Sequence, residues 1–136
     1  MTDRQIAARA YLSQIYFTDQ KAEALKRELT SIKKYAREGC SAVDEFERLI
    51  ESESAACYSA IMQVKEIIEQ VDKKYYALLS YRYEGCMRWD EIERQLHISE
   101  SSRKRLHCEA LDAVANVLEK LDLFEPLDSP YHGIRE

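Results

Sequence analysis

Apolar residues recur along the first part of the chain at alternating steps of three and four: Ala8, Tyr11, Ile15, Ala22, Leu25, Leu29, Ile32 and Ala36, with Thr18 as the single polar interruption. This 3.5-residue period is that of a coiled-coil seam and predicts one helix from about Asp3 to Arg37. At 1.5 Å per residue such a helix is roughly 50 Å long. Gly39 is placed to cap it in a left-handed conformation, and Ser41 with Asp44 resembles a capping box for the next helix. The chain is therefore expected to turn near residues 38 to 41. A second seam follows at Val43, Phe46, Ile50, Glu53, Cys57, Ala60, Val64, Ile67 and Val71, and so short a turn predicts an antiparallel hairpin. Ile6, Leu12, Tyr16, Leu49, Ile61, Met62 and Ile68 fall off the seams and are available to cover a second surface, on the rest of the chain or on another copy.

From Lys73 the periods shorten to three helices. Lys74 to Glu84 carries Tyr75, Leu78, Leu79 and Tyr83 and ends near Gly85; Trp89 to Leu96 carries Trp89, Ile92 and Leu96; a third opens with Ser99 as N-cap. Advancing 100° per residue along the third places Leu106, Ala110, Ala113, Val114, Val117 and Leu121 on its buried face. The opposite face carries Ser101, Lys104, Arg105, Cys108 and Asp112. The pattern divides the chain into a helical hairpin (1–72), a three-helix unit (73–121) and an acidic, irregular tail (122–136).

Three Gly and two Pro in 136 residues leave little turn material, which points to an all-α fold. The formal charge of -5 divides unevenly: residues 1–72 carry -3, residues 73–120 carry +1 and residues 121–136 carry -3. The cationic part is thus the three-helix unit. Cys40, Cys57, Cys86 and Cys108 have neither zinc-site spacing nor the density of a disulfide scaffold, so free thiols in a reducing cytoplasm are expected. No run of 18 apolar residues and no apolar signal core is present, and no membrane association is expected.

The sharpest chemical signal is Arg103-Lys104-Arg105 in the first turns of the helix after Ser99. In a helix-turn-helix that is where the second helix meets the major groove, and Lys or Arg there can donate to guanine or neutralise phosphate. The candidate DNA-binding residues are Arg88, Arg94, Ser99, Ser101, Ser102, Lys104, Arg105 and Cys108. Arg103 falls on the buried side, where it must snorkel outward or pair with Glu91 or Glu93. His107 and Cys108 are adjacent but point about 100° apart, with no third ligand in register, so no metal, cofactor, small-molecule substrate or catalytic residue is expected.

Leu78, Leu79, Arg82 and Tyr83, then Trp89, Glu91 and Ile92, then Ser99, Arg105, Leu106, His107, Ala110 and Leu111 form a pattern over about 40 residues. It resembles region 4 of bacterial sigma factors and, more closely, the ArpU and RinA family of phage and prophage late-transcription regulators. The resemblance implies a helix-turn-helix that binds promoter DNA behind a coiled-coil half. Three positions depart from the family pattern: His97 stands where Gly is common in the turn, Arg103 where Val or Ile is common, and Arg88 where a capping Ser or Thr is common. The expected function is a phage-type sequence-specific transcription regulator. Its partners would be double-stranded DNA, a second copy through the coiled coil, and RNA polymerase as a further candidate. The alternatives are a sigma-like protein-interaction module that does not read DNA, and a DNA-packaging subunit resembling the small terminase proteins.

Overall fold

The computed structural model describes residues 1–35 and 41–123, and every regular element among them is helical. In chain order they are α1 (Asp3–Leu12), α2 (Gln14–Tyr35), α3 (Ser41–Glu69), α4 (Lys73–Leu79), α5 (Trp89–Leu96) and α6 (Glu100–Lys120). The expected turn with its Gly39 cap, Cys40, and the tail from residue 124 on lie outside the described residues. Among the described residues no helix is long and apolar enough to cross a membrane.

The single helix expected from Asp3 to Arg37 is two helices, broken at Ser13. Thr2 starts α1 with a capping box, its hydroxyl accepting from the Gln5 amide at 3.2 Å while the Gln5 side chain accepts from the Thr2 amide at 3.0 Å. Ser13 leaves helical geometry at φ -80, ψ 2, and its hydroxyl donates to the Arg9 carbonyl at 2.7 Å. Such a bond back to the preceding turn bends helices. The bend lays α1 along α6, where Arg4 donates to Glu119 at 2.8 Å and Asn116 at 3.0 Å, and Gln5 donates to Asp112 at 3.0 Å. Apolar spacing runs unbroken through the bend because both helices bury that face, one against α6 and the other against α3.

α2 and α3 pack antiparallel, with Lys21 bridging to Glu53 at 3.0 Å and Lys33 to Glu47 at 3.4 Å. Toward the base, Ile15, Val64, Ile67 and Ile68 enter a core completed by Leu12 of α1, Leu78 and Leu79 of α4, Ile92 of α5 and Leu111, Val114 and Leu118 of α6. That core is continuous across Asp72, whose carboxylate caps α4 by accepting from the Lys74 amide at 3.0 Å. The hairpin therefore rests on the C-terminal helices. Leu12 and Ile68, which lie off the seams, are fully buried, whereas Tyr16, Leu49, Ile61 and Met62 remain exposed. Away from the core, the seam residues Leu25, Leu29, Ile32, Val43, Phe46 and Ile50 are only half-buried.

α4 continues into a π-helical turn over Ser80–Glu84, closed by the Gly85 amide donating to the Ser80 carbonyl at 2.9 Å. Gly85 ends the helix as expected, yet its φ is -87 and the left-handed residue is Cys86, at φ 51. The glycine answers a different constraint: a Cβ there would lie 3.0 Å from the Tyr81 carbonyl oxygen.

Because Ile68 is fully buried and Leu29 only half-buried, Ile68→Ala is expected to cost about 2–5 kcal/mol and Leu29→Ala roughly half as much. Denaturant unfolding followed by circular dichroism measures both.

Candidate nucleic-acid interface

α5 and α6 are joined by three residues, each with a definite role. His97 adopts the left-handed conformation, φ 55 and ψ 46, and the amides of His97 and Ile98 both return to the Glu93 carbonyl. Ser99 then caps α6, its hydroxyl accepting from the Ser102 amide at 3.1 Å. The N-terminus of α5 has no such cap: Arg88 is extended there and makes no side-chain capping bond.

The pair is held by an aromatic and cationic cluster around Trp89. The guanidinium of Arg103 lies 4.4 Å from the indole ring centroid and that of Arg82 lies 4.5 Å from it. His107 meets the ring edge-on at 4.6 Å, and its Nε2 shares a 2.6 Å hydrogen bond with the Tyr83 hydroxyl. Arg103 is buried to 6% exposure and its Nε donates to Glu93 at 3.1 Å, so of the two candidate partners it is Glu93 that pairs. Arg82 also donates to the Met87 carbonyl at 2.9 Å, tying the π-helical turn to the start of α5.

The face of α6 that is buried differs from the expected one. Of the expected stripe, Ala110 and Val114 are fully buried, Leu106, Ala113 and Val117 half-buried, and Leu121 exposed. The buried face is instead Arg103, His107, Ala110, Leu111, Val114, Ala115 and Leu118. The cause is α1, which covers a side of α6 that a three-helix unit alone would leave to solvent. Arg82, Tyr83 and His107 as a working set were not legible beforehand, since nothing in helical spacing links positions 83 and 107.

Ser101, Lys104 and Arg105 project from the first turns of α6 and are exposed. Lys104 pairs with Glu100 at 3.1 Å, and that contact holds the Glu100 carboxyl below its ordinary value. Arg105 has no carboxylate within ion-pair distance among the described residues. On α5, Arg94 contacts Asp90 at 3.5 Å, while Arg88 contacts Asp90 at 3.3 Å and Glu91 at 3.0 Å. Exposed pairs of this kind are worth about 0–1 kcal/mol, so an incoming phosphate can displace the carboxylate at small cost. Arg94 and Ser99 do line one groove, but Asp90, Glu93 and Glu100 line it as well, which disfavours phosphate there.

Two candidates are placed differently from the outward face expected of them. Ser102 is half-buried and its hydroxyl is engaged by Ser99 at 3.1 Å. Cys108 is half-buried beside α1, its carbonyl accepting from Gln5 at 3.4 Å. Cys57, Cys86 and Cys108 are free, and partial desolvation by its neighbours raises the thiol of the surface-exposed Cys86 above its ordinary value. Among the described residues no group of three His, Cys, Asp or Glu side chains could hold a metal ion. No protein-family model, curated protein or solved structure matches the chain.

Glu93→Gln leaves Arg103 buried without its counter-charge and is expected to cost roughly 2 kcal/mol, below the 3–5 of a fully buried pair because Glu93 retains some exposure. Replacing both partners, as Glu93→Leu with Arg103→Met, should recover most of that loss in the same unfolding assay. His97→Gly removes the strain of a left-handed non-glycine residue and should stabilise by about 1 kcal/mol, read as a rise in melting temperature.

Proposed function

We propose that the protein is a DNA-binding transcription regulator in which α5 and α6 form a helix-turn-helix and α6 enters the major groove. The observation that carries this reading is the first two turns of α6. Ser101, Lys104 and Arg105 stand exposed together there, behind a Ser99-capped N-terminus, and among the described residues no carboxylate engages Arg105. A helix so presented can donate to base edges and phosphates, and its own buried side, gripped through Arg103 and His107, fixes its direction. Arg88, outside the acidic groove that holds Arg94, supplies a flanking cation that exchanges its carboxylates for a phosphate. The resemblance of these residues to sigma region 4 and to the ArpU and RinA regulators supports the same reading and gives it its phage-type character. In this reading the α2–α3 hairpin acts as a coiled-coil element that joins two copies, with RNA polymerase as a further partner.

The intramolecular pairing of Lys104, Arg94 and Arg88, and the net +1 of residues 73–120, also favour a second reading, a sigma-like adaptor that contacts protein without reading DNA.

Binding of the full chain to mixed-sequence duplex DNA across a salt series separates them. The DNA reading predicts binding at low salt, with the slope of log affinity against log salt smaller by about two in Lys104→Ala/Arg105→Ala than in the wild type. Absence of wild-type binding at low salt would overturn it in favour of the adaptor.

A further inference from the structure

His107 is the one histidine that the fold buries among the described residues, at 1% exposure, and the proposed function leaves it unused. Its Nε2 shares the 2.6 Å hydrogen bond with the Tyr83 hydroxyl, and its ring lies against Trp89 with centroids 4.6 Å apart. Tyr83 belongs to the π-helical turn, Trp89 to α5 and His107 to α6. The imidazole thus fastens α6 to two of the elements on which it rests.

The charges around this joint disfavour an imidazolium. The guanidinium of Arg82, from the π-helical turn, and that of Arg103, one turn earlier in α6, both lie on the Trp89 ring. Beside them α5 sets Glu93, which Arg103 already engages at 3.1 Å. Of the other elements packed on α6, α1 carries Arg4 against Glu119, Gln5 against Asp112, and the buried Arg9. α4 carries Lys74 within electrostatic reach of Glu109, and α3 contributes the apolar Ala60, Val64, Ile67 and Ile68 to the shared core. A proton on His107 places a third cation at one aromatic ring, away from the water that would screen it. In an unfolded chain an imidazole takes up a proton below about pH 6.5. Above that pH the closed and the open joint both hold a neutral ring and the joint has its full strength. Below it the open state binds a proton that the closed one does not, so the joint weakens as pH falls. We infer that His107 is an acid-sensitive latch, which fastens α6 to α5 and the π-helical turn at neutral pH and releases it below about pH 6.5 while the hairpin stays folded. That the release also withdraws Ser101, Lys104 and Arg105 from DNA rests on the proposed function; the latch itself does not.

Trp89 is the single tryptophan of the chain, so its fluorescence reports on this joint directly. Emission of the full chain is followed without DNA between neutral and mildly acidic pH, with urea unfolding at each step. Wild-type emission is expected to move to longer wavelength on acidification, as the indole gains water, with helical circular dichroism kept. Its folded-to-unfolded ratio should fall by up to about tenfold more per pH unit than that of His107→Gln, the effect of one linked proton. His107→Gln keeps a neutral side chain that can bond Tyr83, and its emission should stay constant; His97→Gln, which replaces an exposed imidazole, should follow the wild type. If His107→Gln fails to fold, the imidazole carbon shifts of the wild type read the protonation state themselves. A neutral His107 ring at neutral pH supports the latch, and an imidazolium there overturns it. A wild-type emission that does not move, one that moves equally in His107→Gln, or one that moves only together with loss of helicity also overturns it. Because no DNA is present, these outcomes stand apart from success or failure of the salt titration.

Discussion

The placement of α6 depends on the packing around Trp89. Its indole is contacted by two guanidinium groups, from Arg82 before it and Arg103 after it, with the His107 ring at its edge and Glu93 balancing the buried charge of Arg103. Cation–π contacts gain strength as they lose water, and a buried ion pair is stable only when both partners are present. The cluster joins the π-helical turn, α5 and α6 at one point. It therefore fixes the direction in which Ser101, Lys104 and Arg105 leave the molecule.

A second constraint is the bend at Ser13. It separates the hairpin from α1 and lets α1 lie along α6, tied by Arg4 to Glu119 and by Gln5 to Asp112. α6 thus receives the Trp89 cluster at its N-terminal part and α1 on a further side. The hairpin base shares the same core, so a load on the hairpin is carried to α6 through Ile67, Ile68 and Val64 rather than through a linker. On the proposed reading, in which α6 meets DNA, this shared core couples the hairpin directly to that helix.

Much of this architecture was legible in the residue pattern. The seam of α2 and α3, the N-cap at Ser99 and the short α5 follow from local periodicity and turn chemistry, which act over a few residues, whereas the tight turn at His97 was marked only by the resemblance, which places a Gly there. The bend at Ser13 was not legible, because an apolar stripe continues through it and one serine is a weak local signal. The buried face of α6 was read one strip away, since its position depends on α1, about 100 residues earlier in sequence. For the same reason Cys108 looked outward on a helical projection but lies beside Gln5. Arg103 was recognised as misplaced on a buried stripe with Glu93 as a partner; the contact of Arg82 with Trp89 comes from the π-helical turn, which no spacing rule announces.

The most direct test of the account is an amide chemical-shift titration of the full chain with a mixed-sequence DNA duplex at low salt. The account predicts perturbations concentrated on Ser99 to Arg105 and on the exposed side of α5 near Arg94, with the outer parts of α2 and α3 unmoved. Perturbations confined to other surfaces, or none at all, would contradict the claim that α6 is the element presented to DNA.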